Sequence, residues 1–295
     1  MNKTIVFLGG DNRQQYIKQH ILSSPLIYNN YSIIDLISPC KVTLEHITKQ
    51  LEQANILIAP LPISSDKCNI NIHPSDSDKA HLSIPFEHVI NSIPTKSIIF
   101  AGGFNNEMIN KMSSKHINYY DYLQDECIQV KNAVATAEGT IMKAMELSPI
   151  NIQSSKCLVL GYGRCARILA KKLKGLDADT TICARNNTKL CECSSLGYKT
   201  LNLHQITTAI NNFDFIFNTI PALIINSDVI NHISKETIII DIASSPGGVD
   251  YSYAKEKNIQ AINYLGIPGK IAPKTSGYIL GDYIINILEG LCVNH

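Results

Sequence analysis

The chain has 295 residues, 45% hydrophobic and 17% charged, a composition that suits one large or two medium globular domains and argues against disorder. Its 26 Lys and Arg against 25 Asp and Glu provide no basic field, which argues against a dedicated nucleic-acid-binding protein. No apolar run approaches the roughly 20 residues of a membrane span, and no secretory signal pattern precedes the first strand pattern. Together with nine Cys, an odd number that does not suggest a disulfide framework, this predicts a cytosolic protein.

Short apolar runs alternate with helix-period segments over the first 120 or so residues, a rhythm that predicts a parallel sheet. The predicted strands are Thr4–Leu8, Ile33–Leu36, Ile56–Ala59 and Ser97–Ala101. The stretch Pro60–Ser83 is rich in Pro, Ser, Asp and Asn without sustained periodicity, and we predict a long surface loop there.

The pattern changes at Asp125–Met145, which predicts one long helix or two nearly continuous ones, ended by Ser148-Pro149. A second α/β series follows, and the final segment Lys274–Leu291 has the apolar spacing of an amphipathic helix. The predicted strands of this series are Lys156–Leu160, Thr180–Ala184, Phe213–Asn218, Ile238–Asp241 and Ile259–Asn263.

A dinucleotide-binding pattern lies between the first strand and first helix of the second series. The sequence Gly161-Tyr162-Gly163-Arg164-Cys165-Ala166 fits Gly-x-Gly-x-x-Ala. In this pattern Gly161 permits the tight turn, Gly163 lets the backbone approach a pyrophosphate, and Ala166 keeps the helix close to the sheet. The backbone amides at the start of the following helix, which begins near Arg164, favour binding of the anionic pyrophosphate. The alternative is a glycine-rich turn without a ligand.

The end of the next strand favours NADP(H) over NAD(H). An NAD enzyme usually carries an acidic residue about 20 residues beyond the first turn. This chain has Arg185 there, whose guanidinium suits a 2′-phosphate, and Asn186 and Thr188 can donate hydrogen bonds. The alternative is that Arg185 only caps the sheet edge.

Two further strand ends should border the nicotinamide, because ligands of doubly wound sheets bind beyond the carboxyl ends of the strands. One carries Thr219 and Pro221, the other Ala243. Asp241 stands at the second strand end, where it either caps the following turn or takes part in the site.

Six segments together give the chain a resemblance to the family of dipicolinate synthase A subunits across nearly its full length. They are Gly9–Gln14, Glu138–Met142, Leu160–Arg164, Asn218–Pro221, Asp241–Gly248 and Gly266–Thr275.

The resemblance implies a sporulation enzyme of spore-forming Firmicutes, in the mother-cell cytoplasm. It implies work with a separately encoded, flavoprotein-like B subunit to turn a dihydrodipicolinate-type intermediate of lysine synthesis into pyridine-2,6-dicarboxylate. It also implies a fold like the two-domain dehydrogenases related to 2-hydroxyacid and alanine dehydrogenases. Their Arg, Glu and His catalytic set has no matching positions here, so their mechanism does not transfer.

The expected fold is therefore α/β, with two Rossmann-like doubly wound parallel-sheet domains and a cleft between them. Residues 1–123 and 274–295 form the N-terminal α/β domain. The resemblance implies that the C-terminal helix returns to this domain and completes it. Residues 124–148 form a linking helix, and residues 149–273 the NADP-binding Rossmann domain.

A dicarboxylate substrate requires cationic and amide donors. We expect Arg13, at a helix start, to bind one carboxylate, and Thr275 and Ser276, at the start of the last helix, to bind the other. Ser244 and Ser245 are the alternative anion site. Solvated or structural roles for these side chains remain open.

Two acid–base candidates are Lys274, which becomes a proton acceptor if burial lowers its pKa, and Glu138, which stands beside Gly139 within a helix. An ordinary structural lysine and an exposed helix glutamate are the alternatives. No metal site is expected, because His73, His81 and His88 are irregularly spaced and Cys191 and Cys193 lack a second pair.

We thus expect an NADP(H)-dependent oxidoreductase that works with the B subunit as partner and takes a small dicarboxylate as substrate. The first alternative is a non-catalytic protein that binds NADP(H) or regulates assembly while the B subunit performs the chemistry. The second is a 2-hydroxyacid-dehydrogenase-like enzyme. The oligomeric state stays open, a homo-oligomer included.

Overall fold

The computed structural model describes residues 3–37, 43–72 and 83–293, so Cys40, His73 and His81 lie outside the described residues. The chain divides into two compact units. Unit 1 comprises Met1–Lys131 and Ala272–His295, and unit 2 comprises Asn132–Ile271. Within the described ranges, no helix combines the length and apolar character needed to cross a membrane.

The strands are β1 (Lys3–Leu8), β2 (Tyr31–Leu36), β3 (Ile56–Ile58), β4 (Asn69–Asn71), β5 (Ser83–Pro85), β6 (Ile98–Ala101), β7 (Asn118–Asp121), β8 (Lys156–Leu160), β9 (Asp179–Ala184), β10 (Lys199–Asn202), β11 (Phe215–Asn218), β12 (Ile238–Asp241) and β13 (Gln260–Asn263). The helices are α1 (Asn12–Leu22), α2 (Pro25–Asn30), α3 (Leu44–Leu51), α4 (Phe86–Ser92), α5 (Asn106–Ser114), α6 (Glu126–Leu147), α7 (Arg164–Gly175), α8 (Asn187–Ser195), α9 (Ile206–Ala209), α10 (Ser227–Ile230), α11 (Tyr251–Glu256), α12 (Ile267–Ile271) and α13 (Pro273–Val293).

Unit 1 contains a five-stranded parallel sheet in the order β2-β1-β3-β6-β7. Because side chains alternate along a strand, β1 places Val6 and Leu8 in one core cluster and Ile5 and Phe7 in another. Leu280 of α13 belongs to the second cluster, so the C-terminal helix supplies part of the core of unit 1.

The prediction of a long surface loop over Pro60–Ser83, of which residues 73–82 lie outside the described residues, is wrong in one respect. Strands β4 and β5 pair antiparallel there as a separate two-stranded sheet. Each strand has three residues and buries one central isoleucine, Ile70 or Ile84, which is too short a pattern to show periodicity in the sequence.

Unit 2 contains a six-stranded parallel sheet in the order β10-β9-β8-β11-β12-β13. The chain runs from β8 outward to β10, then returns to the other side of β8 and runs outward again to β13. The strand order therefore reverses between β8 and β11, which is where doubly wound sheets bind their ligands. The α/β class with parallel sheets is confirmed.

Candidate functional site

The turn between β8 and α7 is tight because Gly161 adopts a left-handed conformation. Its φ is +97°, and a Cβ atom on it would lie 2.5 Å from the Thr219 hydroxyl oxygen. That hydroxyl donates to the Leu160 carbonyl at 2.8 Å. Thr219 thus closes the turn from the neighbouring strand end.

The start of α7 is open. Gly163 is the N-cap residue, no side chain caps the helix there, and a Cβ atom on Gly163 would meet no heavy atom within 4 Å. Arg164 begins the helix and is exposed, whereas Ala166 is fully buried against the sheet. The free amides and the helix dipole at this end therefore suit an anion.

A groove of about 370 Å³ runs along this sheet edge. Its lining includes Gly161, Arg185, Asn186 and Pro221 among the predicted cofactor residues. Arg185 is exposed and makes no hydrogen bond or ion pair with the part of the chain that the structure describes. Its charge is therefore available to a ligand.

Lys189 lines the same groove, a position that sequence reasoning missed. The side-chain oxygen of Asn186 caps α8 by accepting from the Lys189 amide at 3.1 Å, which leaves the Asn186 amide group free to donate. Thr188 is exposed in the first turn of α8. The sequence did contain a signal for Lys189, because it is a basic residue four positions, or one helical turn, after Arg185.

The ends of β11 and β12 carry a buried polar network. Asn218 and Asp241 are paired in register and fully buried. One Asp241 oxygen accepts from Asn218 Nδ2 at 2.8 Å and the Ala243 amide at 2.9 Å. The other accepts from the Gly248 amide and the Tyr251 hydroxyl, both at 2.8 Å.

Asp241 therefore caps the turn that follows it, the first of its two predicted roles. Burial and the hydrogen bond to Asp241 raise the pKa of Tyr251, so its hydroxyl remains a donor at neutral pH. Ser244 and Ser245 are exposed on the capped turn, which the hydrogen bond from the Gly247 amide to the Ser244 carbonyl closes at 2.9 Å.

Arg13 of unit 1 was expected to bind a substrate carboxylate, but in the structure its side chain binds two groups of this chain. Its side chain is 8% exposed, and Nε lies 2.9 Å and Nη2 2.6 Å from the two carboxylate oxygens of Asp11. Nη2 also donates to the Leu61 carbonyl. Since Asp11 neutralises this guanidinium, the charge expected to bind substrate is already paired.

The start of α13 also differs from expectation. Lys274 is exposed, with its ammonium 5.6 Å from the centroid of the Tyr278 ring, so the burial required of a proton acceptor is absent. Thr275 is exposed, but Ser276 is fully buried. Arg13 and this helix start belong to the same unit, where Gly277 packs against the Arg13 carbonyl.

Glu138 forms an ion pair with Lys172 at 2.7 Å, and both side chains are partly exposed. Lys172 follows Arg164 by eight residues, about 12 Å along α7, so the structure does not bring Glu138 to the turn. A Cβ atom on Gly139 would lie 2.3 Å from Ile267 Cγ2. The glycine thus allows α6 and α12 to pack closely.

Burial raises the pKa of the Cys157 and Cys183 thiols to about 12, so both remain unreactive thiols. Cys191 is exposed and Cys193 buried, so they do not face one ligand together. In the described ranges, no group of three His, Cys, Asp or Glu side chains could hold a metal ion.

Two family models match the chain. Residues 4–123 match the model of the N-terminal domain of the dipicolinate synthase A subunit, and residues 143–264 match the shikimate / quinate 5-dehydrogenase model. A curated relative, the dipicolinate synthase A subunit of Bacillus subtilis (strain 168), is 31% identical over 195 residues, which cover 66% of each chain.

Two solved structures extend the similarity over nearly the whole chain. The crystal structure of the dipicolinate synthase A subunit from Bacillus halodurans has a TM-score of 0.84 at 26% identity and covers 97% of both chains. That of the dipicolinate synthase A chain from Bacillus subtilis has a TM-score of 0.80 at 24% identity, covering 100% of this chain and 98% of the other.

Proposed function

The chain belongs to the family of dipicolinate synthase A subunits, and from that premise we propose that it is an NADP(H)-dependent oxidoreductase. Its proposed reaction is the oxidation of a dihydrodipicolinate-type intermediate of lysine synthesis to pyridine-2,6-dicarboxylate during sporulation. The observation that carries the proposal is one sheet edge of unit 2, where the unpaired Arg185 lines a groove together with Gly161, and Gly163 begins an uncapped helix two residues later.

The residues present fit the proposed cofactor. The amides at the start of α7 would hold its pyrophosphate, and the space beside Gly163 leaves room for that approach. Arg185 and Lys189 would hold the 2′-phosphate, with the Asn186 amide group as a further donor. When bound, the nicotinamide supplies the hydride acceptor.

Ser244 and Ser245 are the strongest remaining candidates for a substrate carboxylate. They are exposed on a turn at the carboxyl edge of the sheet, and the buried Asp241 fixes the base of that turn. A fixed anchor loses little entropy on binding and orients the ring for reaction. Since the product is aromatic, orientation and acceptance of one proton are the main tasks left to protein groups.

A second candidate function is a non-catalytic protein that binds NADP(H) while its partner performs the chemistry. It is favoured by the placement of the two acid–base candidates, because Glu138 is ion-paired away from the turn and Lys274 is exposed in unit 1. The family name implies a second type of subunit in the synthase, and we propose a flavoprotein-like B subunit as that partner.

The test is turnover by the purified chain with and without the purified B subunit, with NADP⁺ and the dihydro substrate. We expect NADPH and pyridine-2,6-dicarboxylate to form in equal amounts whenever this chain is present. Product formation by the B subunit alone, or without NADP⁺, would contradict catalysis by this chain. Product that requires both proteins, with unchanged NADPH, would favour the second candidate.

A further inference from the structure

Asp241 connects the two loops that follow β11 and β12. Its four donors come from Asn218 on β11, from Ala243 and Gly248 on the loop after β12, and from Tyr251 on α11. A buried carboxylate with both oxygens doubly hydrogen-bonded fixes every group that donates to it.

The two loops are also joined directly through Gly248. A Cβ atom on Gly248 would lie 2.2 Å from Asn218 Nδ2 and 2.8 Å from the Ile220 carbonyl, so only glycine fits between the loops. The Gly248 carbonyl accepts from the amides of Ile224 at 3.1 Å and Ile225 at 2.9 Å. The loops therefore behave as one body.

This body forms one wall of the groove, through Ile220 and Ile224. Arg185 follows β9, and the sheet order β9-β8-β11-β12 places the Asp241 loop three strands away, about 14 Å across the sheet. A dinucleotide held at Arg185 and at the Gly161–Gly163 turn would extend its nicotinamide half toward these loops.

We infer that Asn218, Asp241 and Tyr251 are positioning residues that hold the joined loops against the nicotinamide half of the cofactor. The inference rests on the proposed function, because it requires a dinucleotide in this groove. It extends that function by giving the buried network a role in ligand geometry, in addition to its role in folding.

The first test is Asp241→Asn, with affinities measured by calorimetry. An amide group in either orientation would face two hydrogen-bond donors, so the joined loops should separate. We expect NADPH affinity to fall about tenfold or more, while the affinity for 2′,5′-ADP, which lacks the nicotinamide half, changes less than about threefold.

Tyr251→Phe serves if Asp241→Asn fails to fold, because it removes one donor and keeps the carboxylate. Its matched control is Tyr253→Phe on the same helix, which also loses one hydrogen bond, from the Tyr253 hydroxyl to Asn231 at 2.9 Å. We expect about a threefold loss of NADPH affinity for Tyr251→Phe alone, with 2′,5′-ADP unaffected in both variants.

Equal losses for NADPH and 2′,5′-ADP would indicate a purely structural network and overturn the inference. Unchanged NADPH affinity in Tyr251→Phe and in a folded Asp241→Asn would overturn it as well, while leaving the proposed cofactor intact. Wild-type protein that binds neither ligand would overturn the proposed cofactor and, with it, this inference.

Discussion

Each of the two parallel sheets has a glycine-containing turn between its first strand and first helix, but only the turn of unit 2 is open to an anion. In unit 2, Gly163 precedes α7 and no side chain caps the helix. In unit 1, Asp11 precedes α1 and accepts from the Arg13 amide at 2.9 Å, while the Arg13 side chain bonds Asp11 and Leu61.

The difference predicts that the N-cap residue, and not the sheet, decides which turn binds a dinucleotide. A helix dipole attracts an anion at its N-terminus in either unit. In unit 1 that anion is already the Asp11 carboxylate, which occupies the Arg13 amide and is itself paired with the Arg13 guanidinium. In unit 2 the N-cap residue is Gly163, which has no side chain that could occupy the amides of α7.

Gly163→Val tests the open turn and should have the largest effect. The new side chain would occupy the space beside the helix start, where the pyrophosphate is expected. We expect NADPH affinity measured by calorimetry to fall more than about a thousandfold, about 4 kcal/mol. The midpoint of thermal unfolding should fall by only about 2–4 °C, the cost of a poorer N-cap, because no heavy atom is displaced.

The matched control is Gly175→Val at the other end of α7, where a Cβ atom would also meet no heavy atom within 4 Å. It should leave NADPH affinity unchanged. A Gly163→Val protein that binds NADPH normally would show that the turn is only structural.

Asp11→Ala tests the closed turn. It removes the cap of α1, worth about 1 kcal/mol, and deprives the nearly buried Arg13 of its counter-charge. We expect a total loss of about 3 kcal/mol in the free energy of unfolding, measured by urea denaturation, with NADPH affinity unchanged.

Thr43→Ala is the control for the cap alone, because Thr43 caps α3 in the same unit by accepting from the His46 amide at 3.3 Å. It should cost about 1 kcal/mol. If Asp11→Ala costs no more than this, the pairing with Arg13 contributes nothing measurable.

The central strands could be predicted from the sequence because they are continuous apolar runs covered on both faces. Strand β8 is such a run, with Cys157–Leu160 fully buried. The edge strands β7 and β10 could not be predicted, because Asn118–Asp121 and Lys199–Asn202 are mostly polar and partly exposed. Their strand form depends on pairing with β6 and β9, a long-range contact.

The glycines of the cofactor turn could be predicted because their spacing reflects a backbone requirement. The partners of charged side chains could not. Arg13 stands two residues after Asp11, and only the folded turn shows that the two are paired with each other. Lys274 and Ser276 are two residues apart, yet one is exposed and the other buried, because helix packing decides which side faces solvent.

Arg185→Ala tests the open edge of unit 2 by separating binding of the 2′-phosphate from binding of the rest of the dinucleotide. Arg185 has no partner within the described part of the chain, so its removal should cost no stability. A charge-assisted contact with the 2′-phosphate is worth about 1.5–3 kcal/mol, so NADPH affinity should fall about ten- to a hundredfold while NADH affinity is retained.

Lys171→Ala, which removes an exposed cation from α7, controls for the general loss of positive charge from unit 2. Because long-range attraction is screened by salt whereas a direct contact is screened less, the preference for NADPH over NADH should survive in Lys171→Ala at physiological ionic strength. If Arg185→Ala keeps the wild-type preference, Arg185 only caps the sheet edge. If Lys189→Ala alone abolishes it, the 2′-phosphate site lies one helical turn further into α8.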